Sequence, residues 1–100
     1  MLLRFTQLAE QDLESIADYI AADNPRRATT FVQELRHQCK RIALNPPGYR
    51  LRPELGEGIR SCVHGHYVIF FEASASDVIV VRILHGARDL PAQFLSDGEI

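Results

Sequence analysis

Tyr67-Val68-Ile69-Phe70-Phe71, a turn at Ser74-Ala75-Ser76-Asp77, and Val78-Ile79-Val80-Val81-Arg82-Ile83-Leu84 form the stretch on which the fold turns. Two runs dense in β-branched and aromatic residues, separated by small polar ones, predict neighbouring antiparallel strands. Just before them, Ile59, Ser61 and Val63 alternate with Arg60, Cys62 and His64, and the Gly65 region offers a turn into Tyr67. Three consecutive strands with short links make an antiparallel meander.

Working outward toward the N-terminus, residues 45–58 are rich in Arg, Pro and Gly and read as a loop. Ahead of that loop lie two helical stripes. Ala9, Leu13, Ile16, Ala17, Ile20 and Ala21 recur at helical spacing with acids on the other faces, and Thr6 suits the N-cap. Ala28, Phe31, Val32, Leu35, Cys39 and Ile42 form the second stripe, capped by Asn24 with Pro25 at its first position and stopped at Asn45-Pro46-Pro47-Gly48. So short a link predicts an antiparallel helical hairpin. Leu2 to Phe5 supplies a first strand. The whole reads as α+β: an N-terminal strand, the hairpin, and the three-stranded meander in one sheet with the helices on one face. Phe70, Phe71, Phe31 and Tyr19 are expected in the core, while Tyr67 suits either core or contact.

The length of 100 residues suits a single domain over 1–100, with residues 90–100 as a loose tail. Hydrophobic residues make up 46% and charged ones 24%, which excludes a wholly disordered chain. The longest apolar runs fall far short of the roughly 18 residues of a membrane span, so no membrane partner is expected. The first residues lack a basic segment followed by an apolar one, and we expect a cytoplasmic protein. Cys39 and Cys62 are too few and too widely spaced for a zinc knuckle or disulfide framework and read as reduced, buried small hydrophobes.

A net charge of −2 argues against a protein that coats phosphate backbones, and sequence-specific nucleic-acid binding is not expected. The charge is uneven, however. Residues 8–24 carry Glu10, Asp12, Glu14, Asp18 and Asp23 with no Lys or Arg; residues 36–60 carry six cations against Glu54 and Glu57. That basic segment suits an acidic partner.

Chemistry-bearing motifs are sparse. His64, His66 and His85 lack a third ligand at a predictable spacing, so no metal is expected. No nucleophile elbow or phosphate-binding glycine loop occurs. Arginine within the sheet is more informative: Arg82 interrupts an aliphatic strand and Arg60 sits mid-strand. A charge there needs a partner, which Glu72 or Asp89 can supply to Arg82, or an open face. On the second reading Arg50, Arg52, Arg60, Arg82 and Arg88 converge on one uncovered sheet face, where they would bind carboxylates or phosphates. Catalysis on RNA would also need an acid and a base, for which His85 and Glu54 are the local candidates. No tyrosine follows Tyr67.

Arg82-Ile83-Leu84-His85-Gly86-Ala87-Arg88-Asp89, taken with Asp18-Tyr19-Ile20-Ala21 and Asp23-Asn24-Pro25-Arg26-Arg27-Ala28, resembles the ParE branch of the RelE/ParE toxins. Arg52-Pro53-Glu54-Leu55, Gly58-Ile59-Arg60-Ser61 and Tyr67-Val68-Ile69-Phe70-Phe71 are similar to that branch in the same order, and the resemblance covers about residues 2 to 90. It implies the toxin of a type II toxin–antitoxin pair, associated with plasmid stabilisation, held inactive by a ParD-like antitoxin, acting on DNA gyrase without a cofactor. The fold it implies is the one derived above.

The sister RelE branch cuts messenger RNA on the ribosome. Arg60 and Arg82 sit where that branch also places arginines, and His85 lies close to where some members place a catalytic histidine. This chain departs from the nuclease pattern in lacking a C-terminal tyrosine and in its net negative charge. The leading expectation is therefore a gyrase inhibitor that acts by binding, with Arg50, Arg52, Arg60, Tyr67, Arg82 and Arg88 as partner-contacting residues. The alternatives are a ribosome-dependent mRNA endonuclease using Arg60, Arg82 and His85, and an inactive homologue that still binds antitoxin.

Overall fold

The computed structural model of the chain describes residues 2–86. Along the sequence it runs β1 (Leu2–Phe5), α1 (Gln7–Ala21), α2 (Pro25–Leu44), β2 (Arg50–Leu51), β3 (Ile59–His64), β4 (Tyr67–Ala73) and β5 (Asp77–His85), with a 3₁₀ turn at Pro46–Gly48. The five strands form one sheet in the order β1-β5-β4-β3-β2. The meander is antiparallel as expected, and β1 lies parallel to β5, pairing Leu2–Phe5 with Asp77–Val80. Two features are additional to the sequence reading: the strand β2 inside the Arg/Pro/Gly loop, and the parallel docking of β1. The expected tail at 90–100 lies outside the described residues.

Both helix starts follow from their caps. The Thr6 side chain accepts the Ala9 N–H and its hydroxyl donates to the Val81 C=O at 2.8 Å, so one residue starts α1 and fastens it to β5. Asn24 accepts the Arg27 N–H, and Pro25 occupies the first turn of α2, where a missing N–H loses nothing. Between the helices only three residues intervene, which forces the hairpin. At the β3–β4 turn Gly65 has φ +59°, a left-handed conformation that opens the two-residue Gly65-His66 loop.

The apolar stripes of the two helices meet the sheet as their periodicity requires. Ala9, Leu13 and Ile16 of α1 and Phe31, Leu35, Cys39 and Ile42 of α2 pack on Cys62, Ile69, Phe71, Val78, Val80 and Ile83. A smaller cluster on the opposite face unites Leu55, Ile59, Val68, Phe70 and Leu84. Tyr19 departs from expectation: it is 76% exposed. It sits on one flank of the α1 stripe rather than within it.

One irregularity decides which β5 side chains face the helices. Phe70 pairs with Arg82 while Phe71 pairs with Val80, leaving Val81 as an extra residue. The bulge explains why Val78, Val80 and Ile83 all join the helix-side core, a spacing that strict alternation forbids.

Replacing Thr6 by Val removes both side-chain hydrogen bonds while keeping the volume. We expect a loss of about 1–2 kcal/mol in urea unfolding with an unchanged m-value.

Candidate functional site: the groove between α1 and β5

β1 stops beside Val80, whereas β5 continues to His85. Beyond Phe5 the edge of β5 is therefore met by α1, and the contact is polar. Asp12 accepts hydrogen bonds from Arg82 Nε and Nη2, both at 2.8 Å, and from the Ile83 backbone N–H at 2.9 Å. The Arg82 and Asp12 side chains are 7% and 13% exposed, so this is a buried, two-pronged pair. The carboxylate answers Arg82's need for a partner and also caps an edge peptide group that would otherwise lack one.

Around the pair opens a groove of about 620 Å³, lined by Asp12, Ser15, Tyr19, Tyr67, Arg82 and His85 together with Ile16, Ile83 and Leu84. The His85 ring meets Tyr67 edge-on at 5.2 Å and stacks on His66 at 6.1 Å. Tyr67 is half-buried and packs against the core, so it serves both as core and as groove wall.

The structure does not bring the expected arginines together. Arg82 faces α1, with Asp12 in the place where Glu72 was expected; Asp89, like Arg88, lies outside the described residues. Arg60 donates to the Tyr49 C=O at 2.7 Å and the Pro47 C=O at 3.5 Å, bracing the turn after α2. Arg52 lies over the ring of Phe70, the cross-strand partner of Arg82, and is bonded to Glu54 at 2.7 Å and to the Ser61 hydroxyl. Arg50 is exposed opposite Ser61. Among the described residues, the guanidinium groups of Arg82, Arg60 and Arg52 are each held by a different local partner, whereas Arg50 stays exposed.

Glu54 is placed poorly for acid–base work. The hydrogen bond from Arg52, followed by one from its own backbone N–H, holds its carboxyl below the usual glutamate value. A general acid needs the opposite shift. Among the described residues no group of three or more His, Cys, Asp or Glu is placed to hold a metal, and no helix is long and apolar enough to cross a membrane. His64 instead stands 3.6 Å from Glu34 and tilts against Phe31.

Asp12, Ser15 and Tyr19 line the groove although the sequence reading assigns none of them to a site: it expects Tyr19 in the core and counts Asp12 only among the acids of α1. A signal existed: positions 12 and 19 recur seven residues apart along one flank of the α1 stripe. Only the structure shows that this flank meets the end of β5.

Two outcomes follow from these environments. Asp12→Ala removes two hydrogen bonds and the counter-charge from a buried guanidinium and one bond from an edge N–H, and is expected to cost about 3–5 kcal/mol, read by chemical denaturation; Asp12→Leu with Arg82→Met should recover most of that loss. Cys39 is fully buried, its thiol pushed up to about 12 by burial first and neighbouring Cys62 second, and burial also raises Cys62. Both should resist a thiol-specific reagent at about pH 8 in the native protein and react on unfolding.

Comparison with known proteins places these features. Residues 3–90 match the family described as ParE toxin of type II toxin-antitoxin system, parDE. No curated protein matches the chain. Among solved structures, the chromosomal ParDE toxin–antitoxin system from P. aeruginosa superposes with a TM-score of 0.73 at 24% identity, over 85% of this chain and 95% of that one. The RelBE2 toxin–antitoxin complex from Mycobacterium tuberculosis superposes with a TM-score of 0.58 at 24% identity, over 84% and 95%. At such identity the two structures speak to fold alone. The family match spans nearly all of the described residues, with their helical hairpin and sheet, and this chain belongs to the ParE toxins of type II toxin–antitoxin systems.

Proposed function

We infer that the protein is a cytoplasmic toxin that inhibits DNA gyrase by binding it, with no chemistry of its own, and that a ParD-like antitoxin neutralises it. The observation that carries this reading is the engagement of Arg82. Its guanidinium fork is filled by Asp12 rather than directed at a phosphate, and the carboxylate that would complete an acid–base pair, Glu54, is tied to Arg52. Affinity for a protein surface needs neither group free. Arg50 is exposed and Tyr67 borders the groove, which leaves both available to a partner.

A ribosome-dependent mRNA endonuclease is the second reading, and one observation favours it: Tyr67, Arg82 and His85 line the same groove. On that reading Asp12 must release Arg82 when RNA enters, and Arg82 then stabilises the phosphate while His85 transfers a proton.

Pulse-labelling just after induction without antitoxin separates the two. We expect DNA synthesis to fall first, purified protein to block gyrase supercoiling, and His85→Ala to remain toxic. An early fall in protein synthesis, with toxicity lost in His85→Ala, would establish the nuclease instead.

A further inference from the structure

Of the described phenylalanines and tyrosines, Tyr19 alone has a ring that meets neither another ring nor a guanidinium. It is 76% exposed, and its hydroxyl has no hydrogen-bond partner among the described residues. Such a side chain adds nothing to the core, yet it stands on the rim of the largest described groove, with exposed Ser15 one turn before it. A large amphipathic aromatic held on a rigid helix beside an apolar wall is the commonest kind of binding anchor.

The floor of that groove is fixed. Ile16 and Ile83 are buried there, and the Arg82 guanidinium is matched by the Asp12 carboxylate at 2.8 Å. The charge that remains belongs to the helix. α1 carries Glu10, Asp12, Glu14 and Asp18 and no Lys or Arg. Glu10 is held by Arg36 and Asp12 by Arg82, whereas Glu14 and Asp18 are exposed and have no described cation within salt-bridge reach. Asp18 adjoins Tyr19, and Glu14 stands one turn earlier on the solvent side of α1. Tyr19 also lies in the last turn of α1, where no basic residue offsets the negative end of the helix dipole.

We propose that this groove is the surface with which the toxin grips its target, and that it takes a segment presenting one aromatic or long aliphatic side chain between lysines or arginines. The apolar side chain lies between Tyr19 and the Ile16–Ile83 wall. A flanking cation stacks on the Tyr19 ring and pairs with Asp18. A phosphate backbone or an acidic peptide would meet the same carboxylates as repulsion. That the segment belongs to gyrase rests on the function proposed above; the preference for an apolar side chain between cations does not.

The test titrates the full chain with a short synthetic peptide in which one tryptophan stands between lysines. The protein has no tryptophan, so the peptide's emission reports binding alone. A saturating blue shift is expected, with amide shifts centred on Ser15 and Tyr19. Tyr19→Ala should weaken binding about tenfold, and Tyr19→Phe, which keeps the ring, should not. The E14K/D18K double variant should also weaken it about tenfold, as should raised salt in lesser degree. All three positions are exposed, so the variants should fold. Equal binding by Tyr19→Ala, equal binding of a peptide with glutamate in place of lysine, or amide shifts centred on α2 or β3 overturns the proposal.

Gyrase is assayed separately, and Tyr19→Ala should need about tenfold more protein to block supercoiling. If the wild-type protein leaves supercoiling untouched, the gyrase reading fails and the peptide titration still decides the groove's preference. If it inhibits and Tyr19→Ala inhibits equally, the groove is not the grip, and the proposal falls while the gyrase reading stands.

Discussion

Asp12 serves three donors with two oxygens, and the placement of α1 on the sheet depends on it. Two come from the Arg82 side chain and one from the backbone of Ile83, so the carboxylate fixes both the direction and the register of the helix against β5. Such a pair contributes little net stability compared with an apolar substitute, because removing two charges from water offsets most of their attraction. Its value is specificity: α1 shifted along β5 by one turn would leave a buried cation and an open edge. Thr6 fixes the other end of the same contact through the Val81 C=O, and between them the helix has one seat.

This arrangement bears on what the groove does. An arginine that is free at the end of a strand invites a phosphate, and the same arginine gripped by a helix is part of the frame. The solved ParDE and RelBE2 structures both superpose on this chain, so the fold leaves the choice of chemistry open. The difference lies in side-chain company, and here the company of Arg82 is Asp12, that of Arg60 is a pair of loop carbonyls, and that of Arg52 is Glu54 with the Phe70 ring.

Much of the fold is legible in the sequence because short-range rules govern it. Thr6 and Asn24 mark the helix starts, the apolar stripes mark their buried faces, and the clustered β-branched and aromatic residues mark β4 and β5. What escapes is long-range. The strand β2 is two residues long and has no periodicity to detect; the bulge at Val81 hides within an unbroken aliphatic run; Tyr19 looks like a core aromatic until the direction of its flank is known. The site is less legible than the fold for the same reason. Arg82 announces the need for a partner, but Asp12 stands 70 residues away, and nearer carboxylates such as Glu72 look equally suitable on paper.

The parallel pairing of β1 with β5 also orders events in time. Of the described elements β1 is made first, yet its partner strand β5 begins only at Asp77 and is made last among them. Until then the helical hairpin can form from local contacts, but the N-terminal strand has no ladder, the core of α1 has no sheet to rest on, and Asp12 has no arginine. Closing so long a loop is the slow step of a topology like this one. The frame around α1 therefore cannot close until β5 has been made, however early the helical hairpin forms.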